Sequence, residues 1–116
     1  MAEVTIYHNP RCSKSRETLK LIEDRGIMPT VVEYLKSPPT ADELRRILAL
    51  LGKAPRDILR RKEAAEAGID ADTLDDEALL RAMVARPAVI ERPIVVAGDR
   101  AALGRPPESV AAILDR

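Results

Sequence analysis

Cys12, the one cysteine of this chain, lies among residues whose types and spacing favour thiol chemistry. Arg11, Lys14 and Arg16 carry positive charge within four residues of the sulfur, and His8 is also close in sequence. Positive charge beside a thiol stabilises the thiolate, which is the nucleophilic form. The segment therefore predicts a nucleophile at Cys12, with His8 as a candidate catalytic partner.

The position of Cys12 relative to the predicted helix supports the same interpretation. A helix predicted to begin at about Ser13 would direct its first backbone N–H groups at the sulfur, where they stabilise a thiolate and attract an anion. The hydroxyl groups of Ser13 and Ser15 could donate to the sulfur or to an oxyanion, and Ser15 is a candidate catalytic residue. The chemistry indicated is thiolate attack on an oxyanion. The alternative is an inert cysteine, because a lone cysteine often packs as a small apolar side chain.

Composition limits the class of protein. The 116 residues include 19 basic and 19 acidic side chains, and 46% are hydrophobic, with no Phe or Trp. Balanced charge argues against a nucleic-acid partner, and the lack of Phe and Trp removes the stacking surfaces of a single-strand binder. No apolar run approaches the ~20 residues of a membrane span, and no secretory signal is recognised. We expect a cytoplasmic protein without a membrane partner, folded as one domain over residues 1–116 around an aliphatic core.

A single cysteine also restricts the redox chemistry. No internal disulfide can form, so a redox cycle at Cys12 must take its second thiol from another molecule.

The first third of the chain reads as a β-α-β unit. Residues 4–7 form a predicted strand, a helix runs from about Ser13 to Arg25 and ends at Gly26, and residues 30–34 form a second strand. A connection of this kind is right-handed and joins parallel strands.

The middle of the chain is predicted to be a helical insertion over about 40–86. Thr40 and Glu43 form a capping box before an amphipathic helix that stops at Gly52. Asp75 is the predicted N-cap of a further helix.

A shorter helix is predicted between these two. It starts at Pro55 and carries Arg60, Arg61 and Lys62 at its end. Residues 64–73 are polar and weakly patterned.

The last third returns to β structure. Residues 89–91 and 94–97 read as strand interrupted by Pro93, a further strand is predicted near 101–103, and Pro106 opens a final helix. Because proline lacks a ladder donor, Pro93 belongs at a strand start, edge or bulge, and a cis bond before it facing the thiol fits this position.

The predicted order of elements is β-α-β, a helical insertion and β-β-α. A thiol between the first strand and the first helix, opposite a proline that begins the closing β-β-α unit, is the thioredoxin-like plan. The fold class expected is therefore α/β, with a thioredoxin-like fold and a mixed central sheet.

Several motifs, in order and at compatible spacing, resemble the glutaredoxin-coupled arsenate reductases (the ArsC family) and their short relatives. The resemblance covers nearly the whole chain. It is carried by residues 5–10, Cys12, Ser15-Arg16, Tyr34-Leu35, Pro38-Pro39-Thr40, Asp42-Glu43-Leu44, Leu59-Arg60, residues 92–96 and Arg105-Pro106.

This resemblance implies a mechanism and a set of site residues. Cys12 would attack arsenate, glutathione would displace and reduce the adduct, and glutaredoxin would resolve the mixed disulfide so that arsenite leaves. Arg60, Arg92 and Arg105 would bind the anion, and His8 would help to keep the thiol ionised. Glutathione would be a co-substrate, and neither a bound cofactor nor a metal is expected.

Guanidinium groups suit the proposed anion site, because a planar fork of N–H donors contacts two oxygens of a tetrahedral oxyanion. Each arginine could instead be a solvated side chain or part of a surface ion pair. Pro93 should orient Arg92 toward the sulfur. For Arg60 the ion-pair alternative stays open, because Arg61 and Lys62 follow it and a small register change would exchange their roles.

Two other function classes remain open. One is a regulatory module that resembles the Spx proteins, which share the fold and bind RNA polymerase. Those proteins usually carry a C-x-x-C pair, and Ser15 stands at the second cysteine position here. The other is a thiol transferase of the monothiol glutaredoxin type, which acts on glutathione mixed disulfides.

Overall fold

A computed structural model describes residues 3–114, which form a mixed sheet and several helices. The strands are β1 (Val4–His8), β2 (Thr30–Glu33), β3 (Ile94–Ala97) and β4 (Arg100–Leu103). The helices are α1 (Ser13–Asp24), α2 (Ala41–Leu51), α3 (Arg61–Glu66), α4 (Asp76–Ala85) and α5 (Ala111–Leu114), with 3-10 turns at Pro55–Ile58, Pro87–Val89 and Pro107–Val110. This order agrees with the predicted β-α-β, helical insertion and β-β-α.

The described residues divide into two compact units. The sheet unit combines the chain up to Ser37 with the chain from Arg92, and the helical unit is Pro38–Glu91. The helical unit includes the predicted insertion over about 40–86. The interpretation of 1–116 as a single domain stays a prediction.

The sheet unit has the strand order β2-β1-β3-β4. β1 and β2 are parallel, as predicted, and β1–β3 and β3–β4 are antiparallel. Ala97 pairs with Arg100, so Gly98 and Asp99 form a two-residue turn, and Gly98 has a φ of 62° there. That left-handed conformation is one glycine adopts without steric cost.

The core of the sheet unit is aliphatic, as the composition predicts. Ile6, Ile22, Val95 and Val110 are each 0% exposed. Burying one such side chain contributes about 1.5–3 kcal/mol. Along β1 the burial alternates, and the last buried position of the strand is His8, so the same alternation that builds the core brings this imidazole inside.

The helical unit confirms its two predicted helix starts. The Glu43 N–H donates to Thr40 Oγ1 at 3.1 Å, and the Thr40 N–H donates to Glu43 Oε1 at 2.9 Å. α2 ends at Gly52, which has a φ of 68°. The Ala78 N–H donates to Asp75 Oδ1 at 2.8 Å at the start of α4.

The helix predicted to run from Pro55 to the basic residues is wrong. A 3-10 turn covers only Pro55–Ile58, the backbone is extended at Leu59, and α3 begins at Arg61 with Arg60 as its N-cap. Leu59 forms a bridge with Ile90, and this long-range pairing replaces continuation of the local helix.

The strand predicted over 89–91 is also wrong. Pro87–Val89 is a 3-10 turn, and Ile90 contributes a single bridge. Prolines on both sides, Pro87 and Pro93, remove the N–H donors that a longer ladder would need. The strand begins only at Ile94.

The C-terminal part follows the prediction more closely. The strand near 101–103 is β4, and the final helix begins as the 3-10 turn before α5, with Val110 and Ile113 buried. The Arg92–Pro93 and Arg105–Pro106 peptide bonds are both cis.

Candidate active site

Cys12 caps the N-terminus of α1. Its backbone is extended, with φ −95° and ψ 123°, and the chain turns just before it because the Cys12 N–H donates to the Asn9 carbonyl at 3.0 Å. The Asn9 side chain fixes the same turn by accepting from the Arg11 N–H at 3.0 Å. The sulfur is therefore held at the point where the first N–H groups of a helix converge.

The strand registers explain which side chains meet this thiol. Tyr7 near the end of β1 pairs with Ile94 at the start of β3, and Ile94 pairs with Leu103 at the end of β4. Because both pairs are antiparallel, the last residue of β1, the first residue of β3 and the last residue of β4 lie at the same end of the sheet. Arg92 precedes β3, Arg105 follows β4 and Cys12 follows β1, so all three residues lie at that end.

The two arginines interact with each other and with the thiol. Arg105 Nη2 lies 3.8 Å from Cys12 Sγ, and Arg105 Nε donates to the Arg92 carbonyl at 2.7 Å. The Arg92 guanidinium also forms a hydrogen bond to the thiol. Two cationic groups thus converge on one sulfur, in an arrangement that would also suit an anion.

The pKa of Cys12 lies below its ordinary value. Partial burial raises it, but this is outweighed by the Ser15 N–H, the Arg92 guanidinium and the Lys14 N–H, all of which stabilise the thiolate. The thiol is half-buried rather than sealed in the core. Partial exposure and a lowered pKa are features that favour reactivity of a cysteine.

Ser15 and His8 form a buried pair behind the thiol. His8 Nδ1 and Ser15 Oγ are 2.6 Å apart, and the Asn9 N–H donates to the same oxygen at 3.0 Å. Ser15 is 0% exposed, and it is its backbone N–H that stabilises Cys12. The hydroxyl therefore connects the end of β1 to the first turn of α1.

His8 is not a strong source of positive charge. Burial lowers its pKa below the ordinary histidine value, Glu33 and Glu23 act in the opposite direction, and Arg16 lowers the pKa further. The imidazole is therefore mainly neutral at pH 7. The imidazole is connected to the thiol through Ser15, because it bonds to the Ser15 hydroxyl and the Ser15 backbone N–H stabilises the thiolate.

Arg60 lies in the helical unit, where carboxylates surround it. Its Nη1 is 3.2 Å from Glu91 Oε1, and its Nη2 is 3.1 Å from Glu63 Oε2. The Arg60 side chain is only 20% exposed. The structure thus shows the ion pairing that the sequence left open, and a role for Arg60 in anion binding stays a prediction.

Charged side chains that lie near Cys12 in the sequence also contact groups other than the sulfur. Arg16 Nη1 donates to the Pro10 carbonyl at 2.9 Å, and Lys14 Nζ lies 3.9 Å from Glu17. Lys14 acts on the sulfur through its backbone N–H. Sequence reasoning also missed Asn9, whose side-chain bond to the backbone two residues later is a common turn signal for this residue type before proline.

The described range 3–114 contains no cluster of three or more His, Cys, Asp or Glu side chains that could hold a metal ion. Within the same range, no helix has the length and apolar character needed to cross a membrane.

Comparison with known proteins gives a consistent result. The model of the ArsC family matches residues 7–113. An arsenate reductase of Neisseria meningitidis serogroup B is 50% identical over 98% of this chain and 100% of the relative. The uncharacterized protein YfgD of Escherichia coli K12 is also 50% identical, over 97% of both chains.

A solved structure extends the comparison to the fold. The solved structure of a putative arsenate reductase from Yersinia pestis has a TM-score of 0.90 and 50% identity, covering 95% of this chain and 99% of that one. This similarity confirms the predicted thioredoxin-like α/β fold.

Proposed function

Because this chain belongs to the ArsC family, we propose that it is an oxidoreductase that reduces arsenate to arsenite. The observation that supports this proposal most directly is the thiol at the start of α1, whose pKa is lowered and whose sulfur lies 3.8 Å from the Arg105 guanidinium. Two negative species, thiolate and arsenate, must approach each other in such a reaction, and nearby guanidinium groups offset their repulsion.

The first proposed step is nucleophilic. The Cys12 thiolate attacks arsenic(V), a sulfur–arsenic bond forms, and one arsenate oxygen leaves as water after protonation. A glutathione thiolate then attacks the Cys12 sulfur. The sulfur–arsenic bond breaks with its electron pair remaining on arsenic, which becomes arsenic(III), and a Cys12–glutathione disulfide forms. A glutaredoxin thiolate attacks the glutathione sulfur of that disulfide, so a glutaredoxin–glutathione mixed disulfide forms, the Cys12 thiolate is the leaving group, and the arsenite already freed from sulfur dissociates.

Arg92 and Arg105 are the proposed anion ligands. Guanidinium groups can each donate to two oxygens of arsenate, and they continue to offset negative charge as the sulfur–arsenic bond forms. Their contact with the sulfur in the absence of substrate serves a second purpose, because it keeps the nucleophile ionised before the anion arrives. Arg60 is proposed as a third anion ligand only from the family resemblance.

His8 and Ser15 have a proposed role in positioning. The hydrogen bond between His8 Nδ1 and Ser15 Oγ anchors the first turn of α1 to the end of β1. That turn supplies the Lys14 and Ser15 N–H groups that lower the Cys12 pKa. The pair would therefore act on the thiol by fixing the backbone donors around it.

The proposed co-substrate is glutathione, and the proposed protein partner is glutaredoxin. With one cysteine in the sequence, the chain needs external thiols to complete a two-electron cycle. Such a cycle requires no bound cofactor. It also requires a reducing compartment, which agrees with a cytoplasmic location and with a role in arsenic detoxification.

The test is turnover of NADPH in a coupled assay with arsenate, glutathione, glutaredoxin and glutathione reductase. We expect Cys12→Ser to abolish arsenate-dependent oxidation of NADPH, because serine is a far weaker nucleophile, while circular dichroism stays unchanged. Ser37→Ala, at an exposed serine that has no part in the candidate site, is the control and should retain activity.

Two results would contradict the proposal. Activity that survives in Cys12→Ser would exclude this thiol as the nucleophile. Turnover of a glutathione mixed disulfide without any response to arsenate would indicate a thiol transferase instead.

A further inference from the structure

Gly104 lies where three segments of the sheet unit meet. It follows the last residue of β4 and precedes Arg105, and it is buried. A side chain at this position would overlap Thr18 Oγ1, and its first carbon would lie 2.7 Å from Pro93 Cγ and 3.1 Å from Thr18 Cγ2. The backbone φ of Gly104 is not left-handed. The need for glycine is therefore one of space, not of backbone conformation.

The neighbours of Gly104 have little freedom to move away. Thr18 is 0% exposed, and its Oγ1 donates to the Lys14 carbonyl at 2.7 Å, which fixes the rotamer. Pro93 is fully buried and has a rigid ring. Close-packed interiors relax only partly around added volume, so an added methyl group would move whole segments rather than one side-chain tip.

Each neighbouring segment carries a group that acts on the thiol. Thr18 belongs to α1, whose N-cap is Cys12, and its hydroxyl holds Lys14 in the first turn. Pro93 directly follows Arg92. Gly104 itself directly precedes Arg105, and its N–H donates to the Pro93 carbonyl at 2.9 Å.

We propose that Gly104 is a positioning residue that sets the separation between the Cys12 sulfur and the guanidinium groups of Arg92 and Arg105. Its lack of a side chain lets α1 approach the two arginine-bearing segments closely. A methyl group would push the helix and these segments apart and would lengthen the 3.8 Å contact between Arg105 Nη2 and Cys12 Sγ. The catalytic consequence rests on the proposed function, whereas the effect on the thiol does not.

The experiment measures the rate of Cys12 alkylation by iodoacetamide as a function of pH. For Gly104→Ala we expect a higher thiol pKa than in the parent protein, because the guanidinium contacts that favour the thiolate are weakened. At pH values below the thiol pKa, the alkylation rate should fall by about threefold or more, which corresponds to a pKa rise of about half a unit.

Gly26→Ala is the matched control within the sheet unit. Gly26 has a φ of 77°, and nothing lies within 4 Å of an added methyl group. Alanine there strains the backbone and lowers stability, but it meets no neighbour. We expect the alkylation profile of Gly26→Ala to match that of the parent protein. A profile shifted equally in both variants would attribute the effect to general destabilisation and would overturn the proposal.

A double-mutant cycle with Thr18→Ala tests the route of the effect. Removing Oγ1 and Cγ2 of Thr18 opens space beside Gly104, so adding Gly104→Ala to Thr18→Ala should raise the thiol pKa less than Gly104→Ala does alone. An equal rise in both backgrounds would mean that Thr18 does not transmit the effect, and would overturn the proposal.

If Gly104→Ala does not fold, Thr18→Val replaces it. Valine puts a larger methyl group where Oγ1 now faces Gly104, and Thr18→Ala, which loses the same hydroxyl, is its reference. A thiol pKa higher in Thr18→Val than in Thr18→Ala supports the proposal, and an equal one overturns it. Alkylation requires no arsenate, glutathione or glutaredoxin. A parent protein that is inactive on arsenate would therefore refute the proposed function without affecting this result.

Discussion

In the sheet unit, the guanidinium of Arg105 contacts the sulfur of Cys12, whereas in the helical unit the guanidinium of Arg60 contacts the carboxylates of Glu63 and Glu91. Arg60 uses Nη1 and Nη2 for its two carboxylates, whereas Arg105 uses Nη2 for the sulfur. Arg105 directs its Nε at a main-chain carbonyl, the Arg92 oxygen, at 2.7 Å. The same residue type is thus arranged in two different electrostatic settings.

The different contacts of Arg60 and Arg105 indicate how arginine can contribute to stability in one setting and to binding in another. Carboxylates compensate the charge of Arg60, and both ion pairs are partly buried. The main effect of these ion pairs is therefore to hold α3 and the end of the helical unit together. Arg105 Nε donates to a neutral carbonyl while its Nη2 lies beside the sulfur, so this contact places a cationic group next to the thiol. The contacts of an arginine, rather than its place in a motif, indicate what its charge does.

The largest expected effect in this comparison of arginines is the loss of anion affinity in Arg92→Ala. In a Cys12→Ser background, which prevents turnover, binding of arsenate or sulfate measured by calorimetry should weaken by about 2 kcal/mol or more. The Arg92 carbonyl that accepts from Arg105 remains in this variant, so the loss reports the guanidinium itself.

Arg11→Ala is the control for Arg92→Ala. It removes the same charge from an exposed residue next to Cys12, and we expect little change in anion affinity because exposed charges are screened by salt. Equal losses in the two variants would show that general charge, and not the placed contact, attracts the anion.

A smaller effect, on stability, is expected for Arg60→Ala. Removing the guanidinium from two partly buried carboxylates should lower the free energy of unfolding in urea by about 1–2 kcal/mol. We expect the loss of arsenate affinity to be smaller than for Arg92→Ala. Arg61→Ala, whose partner Asp72 is 3.9 Å away and 89% exposed, should leave stability nearly unchanged.

The outcome for Arg60 could break the comparison. If Arg60→Ala leaves the free energy of unfolding unchanged but weakens anion binding as much as Arg92→Ala does, then Arg60 serves the anion and its carboxylate contacts contribute little.

The smallest effect concerns His8 and pH. Because burial lowers the His8 pKa, the unfolded chain binds this proton more readily than the folded protein does. Stability from this group is therefore fully present above the ordinary histidine pKa of about 6.5 and is lost as the pH falls from there toward the lower folded-state pKa. Urea unfolding between pH 7.5 and 5.5 should show a steeper loss in the parent protein than in His8→Asn.

The comparison between the parent protein and His8→Asn isolates the histidine. The lowered Cys12 pKa also makes stability fall on acidification, so both proteins are compared in a Cys12→Ser background, where that contribution is absent. Identical pH dependence in the two proteins would contradict a neutral, buried His8.

Features with local causes could be predicted from the sequence. The Thr40–Glu43 capping box and the Asp75 N-cap depend on residues three positions apart, and both are confirmed. The placement of Cys12 at the start of α1 is likewise a matter of neighbouring residues.

Features with long-range causes could not be derived from local patterns. The bridge between Leu59 and Ile90 replaced a predicted helix and a predicted strand. The pair of Arg60 and Glu91 joins residues 31 positions apart. Arg105 was expected at the site only from the family resemblance, and Arg92 from the resemblance and from the proline after it. Their proximity to each other depends on the register of β3 with β4, which residue patterns alone leave undetermined.

Because the Gly98–Asp99 turn sets this register, it also affects the position of residues at the other end of the hairpin. The turn closes one end of the hairpin, and Arg92 and Arg105 flank the other end, beyond strands that are each about 13 Å long for four residues. One residue inserted or deleted there would slide β4 against β3, reverse which of its side chains face inward, and carry Arg105 out of step with Cys12. Related sequences should therefore accept substitutions at the exposed Asp99 of this turn far more readily than any change in the length of the turn.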